Sequence, residues 1–519
     1  MYNDASTGWV ETHKEQLLPE TFIELTYVVS EPGLQQDSTA KASLEEDFSE
    51  AEKLVSTLTS NPEKYSTLEW NGWGLDGSFE YFDDTPVDPG YVTTVLSEDD
   101  AGYSSNPTVT ISFSKVHTEL IPGITIRWSP TFSEWASVFR VTTYNGETVV
   151  TQVTVEDNTD TESTLWVDLQ NYDRLTIEVL EWSHPEHRAR VESVYMGVRT
   201  IYTKNDFLNF SHSQSVDLLS AALPKNEITF ALRNDDGRWN PNNPTGVERY
   251  LLERQEITVR YGMMVNGLRE WIEGGRFWLS SWSTPANGLE ASFSARDSLE
   301  FCNEVYVGPR SGTLYDIAVS AFEQTNLPVL ENGELRYSVD KSLRDYFTDF
   351  SGENEMDYTV AEVLQLVAHM GGCVLYQQRN GVMYLGPRVG ITSDYVIDQN
   401  NSYAHPEFEI SKPVKAISCD YGEDGNVVVT VGKSGEVQTI SNEFILTEDD
   451  ARRIAQLTAN QLVGRKTVSG EYRADPRLDV LDYVMVHSKY SVNNVVITEI
   501  EYTTTGGGMR GTYVGRVSS

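Results

Sequence analysis

Only three cysteines, Cys302, Cys373 and Cys419, occur in 519 residues, and no two stand close enough to form a CxxC pair. Such isolated thiols build neither a disulfide framework nor a thiolate zinc motif, and they fit folding in a reducing compartment. Basic residues are scarce too: 39 Lys and Arg stand against 78 Asp and Glu, a formal net charge of −39. Contacts to phosphate need clustered cations, so this balance argues against a nucleic-acid interface and against docking on anionic lipid. It suits a highly charged soluble surface, or a wall past which nucleic acid slides without sticking. Long apolar runs are absent, none approaching the roughly 20 residues that span a bilayer. The start, Met1-Tyr2-Asn3-Asp4-Ala5-Ser6, has neither the basic nor the apolar region of a signal peptide. The expectation is a soluble protein with no membrane anchor, leaving a cell only by a route such as lysis.

Signatures of catalysis are also missing. Gly432-Lys433-Ser434 resembles the end of a phosphate-binding loop, but Val427 stands where that loop needs its first glycine, so a hairpin turn is expected. His184 and His187 flank Pro185-Glu186, which is not the HExxH spacing, and Pro185 opposes a helix that would put both imidazoles on one face. No nucleophile elbow or catalytic cysteine motif is present. With 78 carboxylates, any glycosidase-like spacing arises by chance. Asp83, Asp84 and Asp88 form an acidic loop, solvated or holding a structural Ca²⁺. The reading is a chain that is not an enzyme, with no catalytic residues, cofactor or metal assigned.

What is present is β structure. Phe22-Ile23-Glu24-Leu25-Thr26-Tyr27-Val28-Val29 alternates apolar and polar residues, the period of a half-buried strand, after a polar arm at 1–18. From about 60 to 199, short strands such as Ile124-Thr125-Ile126-Arg127-Trp128 and Val138-Phe139-Arg140-Val141-Thr142 are separated by turn residues such as Asn145-Gly146, a β-sandwich pattern. Strands continue to about 303. The pattern then changes: Thr313 with Asp316, and Thr359 with Glu362, open two amphipathic helices, the second stopped by Gly371 and Gly372. A hairpin follows around Asn380-Gly381. In the last hundred residues Thr447 with Asp450 caps one helix among strands.

Six of the eleven tryptophans fall in the sandwich: Trp70, Trp73, Trp128, Trp135, Trp166 and Trp182. Rings on strands ordinarily fill a core, as expected for Trp128, whereas rings on loops can stack on sugar faces. Trp70 and Trp73 flank Asn71-Gly72 and Trp135 lies between strands, so these three are the candidate carbohydrate contacts, against the alternative of core or rim packing.

Two resemblances rest on these segments. Tyr65-Ser66-Thr67-Leu68-Glu69-Trp70-Asn71-Gly72-Trp73-Gly74-Leu75-Asp76-Gly77 and Arg188-Ala189-Arg190-Val191-Glu192-Ser193-Val194-Tyr195-Met196-Gly197 make residues 43–199 resemble the discoidin or galactose-binding-like jelly roll, whose ligands bind loops at one end. Phe230-Ala231-Leu232-Arg233-Asn234-Asp235-Asp236-Gly237, the helix–hairpin unit Thr359 to Leu385, and the run from Asn442 through Thr447, Ala451 and Ala455 to Leu478 resemble the baseplate hub, or late-control, family of bacteriophage tails. Hubs of that family often carry a Gly-Asp pair where this chain has Leu481-Asp482.

The resemblance implies a mainly β, multidomain chain: a 1–18 arm; a first hub β-barrel from 19–30 and 200–303; an inserted galactose-binding-like sandwich at 31–199; an α/β region at 304–412; and a second hub β-barrel with one helix at 413–519. It implies a structural virion protein assembled in the bacterial host cytoplasm. This would be a homotrimer ringing the DNA channel, through which DNA passes without specific binding. Implied partners are distal tail, tape-measure and tip or fibre proteins; the sandwich's ligand stays open between a host-surface glycan and the docking of other tail proteins. The rival readings are a glycan-degrading enzyme with an accessory carbohydrate-binding module, and a bacterial surface adhesin.

Overall fold

The fold is given by a computed structural model describing residues 5–15, 20–55, 67, 69–70, 90–240, 242–243, 246–285, 288–325, 327, 336–351, 357–388, 392–422, 425–462, 465–504 and 508–518. Half of the residues lie in strands and 15% in helices, so the class is mainly β, with several sheets and domains. No helix among the described residues is long and apolar enough to cross a membrane.

Thirteen described strands form one sheet, the trunk. Its first half runs in the order Val198–Thr203, Thr21–Val29, Glu256–Val265, Leu268–Ser283, Glu290–Arg296, Lys225–Arg233 and Phe207–Ser215. The last of these pairs antiparallel with Val492–Thr504, from Phe210 opposite Thr504 to Ser215 opposite Glu499, so the second half continues the first. Met509–Val517, Lys466–Arg473 and Glu407–Ile410 extend it, while Tyr483–His487 and Thr392–Ile397 branch from Val492–Thr504. The path is open: among the described residues backbone pairing closes neither half into a barrel. One apolar core nevertheless serves both halves, including Leu25, Tyr27, Phe230, Tyr261, Phe277, Ile500 and Tyr502. The alternation in 22–29 predicts this packing: Ile23, Leu25, Tyr27 and Val29 are buried and the residues between them only partly so.

Thr21–Val29 and Val198–Thr203 are neighbours, Val29 lying opposite Val198, so the chain leaves the trunk and returns to it at adjacent points. Between them it builds a second pair of layers. One layer is a five-stranded antiparallel sheet ordered Ser38–Ala42, Thr108–His117, Tyr172–Trp182, Ala136–Asn145 and Thr148–Val155. The other contains Ser193–Tyr195, Ile121–Arg127 and Glu162–Leu169. Their facing side chains, among them Ile111, Ile124, Ile126, Phe139, Leu175 and Ile177, form an independent core. Gly123 has φ 140°, and a Cβ there would lie 1.8 Å from the Leu165 carbonyl oxygen, so only glycine lets these two strands approach.

The helices form where the capping residues predict them. Thr313 accepts from the Asp316 amide at the start of Leu314–Gln324, Thr359 and Glu362 complete a reciprocal box at Val360–Gly371, and Gly372 closes that helix at φ 65°. Thr447 accepts from the Asp450 amide at the head of Glu448–Leu462. This third helix buries Ala451, Ile454 and Ala455 in the same core as the other two, with the strands Val414–Tyr421 and Gly425–Thr430. Its Arg453 donates to the last carbonyls of the second helix, Met370 O at 2.6 Å and Gly371 O at 3.3 Å. Cys302, Cys373 and Cys419 are buried in this core as free thiols, and burial pushes them up to about 12, 12 and 11 respectively. They behave as small apolar groups.

Residues 7–13 form a short helix where the sequence reads as a polar arm. Trp9 inserts among Met263, Val265 and Ile272 of the first half, and Arg473 of the second half donates to the His13 carbonyl at 2.5 Å. Leu481 adopts φ 73°, the left-handed region that ordinarily favours glycine. A non-glycine residue there costs roughly 1–2 kcal/mol, and burial of the leucine side chain offsets it.

The hairpin turn predicted at Asn380-Gly381 has a larger role. Gly381 takes φ 86°, and Arg379 beside it is buried where the α/β region meets both trunk halves. The guanidinium donates to Glu273 O of the first half at 3.1 Å and to Pro476 O and Leu478 O of the second, the latter at 2.6 Å. It pairs with buried Asp479 at 3.4 Å. Burial alone would lower its pKa, but the Asp479 charge together with Tyr502 and Tyr261 outweighs that and holds the guanidinium above its ordinary value. Nearby His212 is pushed down to about 4, first by burial and then by the Arg379 charge, so it stays neutral. Its Nε2–H then donates to Asn226 Oδ1 at 2.9 Å while Nδ1 accepts from the Tyr261 hydroxyl at 2.7 Å. Replacing Arg379 with methionine leaves Asp479 buried without its cation, so Arg379→Met should cost roughly 3–5 kcal/mol in chemical denaturation; a loss below about 1 kcal/mol refutes this role.

Candidate functional site

The sandwich end nearest the sequence-derived tryptophans is built on a buried polar cluster. Trp182, ending Tyr172–Trp182, stacks edge-on against Trp128 with centroids 6.2 Å apart and directs its indole N–H to Glu134 Oε2 at 2.8 Å. Glu134 Oε1 lies 2.7 Å from His187 Nδ1, and its Oε2 lies 3.3 Å from Arg190 Nη1. Arg190 reaches Glu69 Oε2 at 2.5 Å with its other terminal nitrogen, and its guanidinium lies 4.5 Å from the Phe132 ring centroid. His187 Nε2 is hydrogen-bonded to the Trp70 carbonyl. All four ionisable side chains are buried.

The charges tune one another. Burial would raise Glu134, but the His187 hydrogen bond, the Arg190 charge and the Trp182 N–H together hold it below its ordinary value. Burial would lower His187, but the hydrogen bond and charge of Glu134, with the Trp70 carbonyl, raise it. Both imidazole nitrogens are engaged, so His187 has no free lone pair for proton abstraction or for a metal. Its ring stacks at 5.2 Å on exposed His184, which meets Trp135 edge-on at 6.4 Å. Among the described residues no group of three or more His, Cys, Asp and Glu could hold a metal ion.

The cluster thus underlies an outer surface of the sandwich. Trp70 is 65% exposed, its backbone anchored by His187. Trp135 is half-buried against the sandwich core, and its amide donates to Ser183 Oγ at 3.1 Å. Trp128 is core, and Trp166 is exposed on Glu162–Leu169. Trp73 lies outside the described residues, as do Asp83, Asp84 and Asp88. The sequence reading passed over Glu69, Glu134, His187 and Arg190 as a group. The available signal was arginine at an inward strand position in Arg188-Ala189-Arg190-Val191, which demands a buried carboxylate.

No family model matches the chain, and no curated protein does. Among solved structures it is similar to the 43 kDa tail protein of prophage MuSo2 from Shewanella oneidensis, at 14% identity and TM-score 0.42, over 61% of this chain and 94% of that one. It is also similar to a tail protein from Neisseria meningitidis, at 11% identity and TM-score 0.38, over 62% and 93% of the two chains. Prophage tail protein gp18 from Listeria monocytogenes is a third, at 14% identity and TM-score 0.38, over 62% and 93%.

Arg190→Met leaves Glu69 and Glu134 facing each other without their shared cation, and should destabilise the sandwich by roughly 3–5 kcal/mol. Unchanged amide exchange in Tyr172–Trp182 would contradict this. His187 binds its proton more tightly when folded, so its stabilisation is full below about pH 6.5 and is lost as pH rises through its raised folded value. Glu134 acts in the opposite sense, its stabilisation present above 4.5 and lost as pH falls through its lowered folded value. Amide exchange around Arg188–Val191 should therefore quicken from pH 6 to pH 9 more in the native chain than in His187→Gln; equal acceleration in both would exclude the pair as the cause.

Proposed function

We propose that this chain is a non-enzymatic structural hub of a bacteriophage tail, three copies ringing a DNA channel between tail tube and tip. The observation that carries this reading is the trunk. Two units, one antiparallel from 21–29 and 198–296 and the other from 392–410 and 466–517 with one parallel pairing, are drawn from separate stretches of chain and joined side by side through Phe207–Ser215 and Val492–Thr504. Two such units per subunit let a threefold ring present six comparable faces to a sixfold tube, and a closed ring satisfies head-to-tail contacts without filament growth. The hub-like segments support it: Phe230 to Gly237 begins in the first unit, and Thr359 to Leu385 contributes Arg379 at the junction. A net charge of −39 suits a channel wall that repels passing DNA and binds none specifically.

In this reading the sandwich, a galactose-binding-like module, projects from the trunk to meet other tail proteins or a host-surface glycan, with Trp70, Trp73 and Trp135 as its stacking rings. Distal tail, tape-measure and tip or fibre proteins are the expected neighbours, assembled with it in the bacterial host cytoplasm. Light scattering on the purified chain should give three times the 58.4 kDa subunit mass, and electron cryomicroscopy should show an Asp- and Glu-lined ring whose channel is roughly 30–40 Å wide, a duplex with clearance. A channel-free monomer, or an inner face rich in Lys and Arg, would overturn the reading.

A further inference from the structure

The second trunk half carries an open cleft of about 560 Å³ that no part of the hub reading uses. One wall is the segment 398–406 after Thr392–Ile397; the other is the hairpin tip 487–489 joining Tyr483–His487 to Val492–Thr504. Its volume falls within the roughly 300–1,000 Å³ of small-molecule sites. Both walls are pinned before any ligand arrives. Asp398 accepts from the Asn400 amide at 2.7 Å and from Asn400 Nδ2 at 3.2 Å, Asn401 Nδ2 donates to Val396 O at 2.8 Å, and the Tyr403 amide donates to Glu471 O at 3.1 Å. Opposite, the hydroxyls of Ser488 and Ser491 lie 3.0 Å apart across the hairpin tip. Such pre-organisation reduces the ordering cost of binding.

The chemistry left facing the cleft is distinctive for so acidic a chain. The Asp398 carboxylate is engaged by its own turn, whereas Gln399, His405 and His487 make no side-chain hydrogen bond to the described residues, and Lys489 points its ammonium over the Tyr490 ring at 5.3 Å. Tyr403 is 52% exposed with the Arg510 guanidinium 5.2 Å from its ring centroid. One aromatic ring, unspent amide and imidazole groups, and the Lys489 ammonium with the Arg510 guanidinium beside Tyr403 suit a hydroxyl-rich ligand bearing a negative charge.

We infer that this cleft binds a short carboxylated saccharide, its carboxylate held by His405, His487 and Lys489 and a sugar ring resting on Tyr403. The site is separate from the sandwich and stands whether or not the sandwich binds glycan. Titration of the full chain with trigalacturonate, maltotriose and inorganic phosphate, by calorimetry and by histidine ring resonances, tests it. Trigalacturonate should bind, with maltotriose weaker by about tenfold for want of the charge-assisted bonds. His487→Ala and Tyr403→Ala, each confirmed folded by its melting curve, should lose about tenfold, as should His405→Ala at an exposed position if either fails to fold. Leu268→Ala, at an exposed position of the first trunk half outside both the cleft and the sandwich, should leave binding unchanged. No binding, equal affinity for maltotriose, or binding that survives the cleft substitutions would overturn the inference, and phosphate competing on equal terms would overturn its saccharide part.

Discussion

A single buried cation holds this architecture together. Arg379 sits at a hairpin tip of the α/β region, and its guanidinium bridges a carbonyl of the first trunk half, two of the second and the Asp479 carboxylate. Each of those acceptors would cost free energy if buried without a donor. The planar fork of arginine can meet several at once, which the single ammonium of lysine cannot. Around it the neutral His212, Tyr261 and Tyr502 complete the hydrogen bonding, Tyr502 donating to Leu478 O at 2.8 Å. The relative placement of segments some 200 residues apart therefore rests on this charge and its acceptors together with the backbone pairing of Phe207–Ser215 and Val492–Thr504 and the shared apolar core beneath.

The sandwich applies the same device at a smaller scale. Arg190 lies between Glu69 and Glu134, and His187 extends the network to the backbone of Trp70. Paired charges in a core add little net stability compared with apolar packing, but they penalise every arrangement that separates them. That fixes which loops meet at this end of the module, and so where Trp70 stands. The arm adds a third tie, with Trp9 in a first-half pocket and the His13 carbonyl bound by Arg473 of the second.

Much of the local structure was legible because short-range rules decide it. Alternation in 22–29, the threonine caps at Thr313, Thr359 and Thr447, the glycine stop at Gly372 and the turn at Asn380-Gly381 each depend on residues a few positions apart. The Asn266-Gly267 turn, both residues with positive φ, was equally readable and was missed. The arm was not legible, since a lone Trp9 among polar residues forms a stable helix only when a pocket receives it. Nor was the core that Glu448–Leu462 would join, because its apolar face of Ala451, Ile454 and Ala455 fits any shallow groove until Arg453 finds the end of Val360–Gly371. For the candidate site, exposure of Trp70 next to Asn71-Gly72 could be anticipated, but the carboxylates and histidine beneath it could not.

By itself, then, the sequence determined a mainly β chain with few thiols, a large negative charge, and strands, caps and turns at defined places, because propensity and periodicity act over one or two turns of backbone. Only the tertiary structure decided which strands neighbour one another, that Phe207–Ser215 and Val492–Thr504 weld two halves into one sheet, and that isolated Arg379 and Arg190 would become hubs of buried polar networks. The physical reason is that burying a charge carries a large desolvation cost, met only by partners from distant parts of the chain, and sequence spacing holds no record of which partners those are.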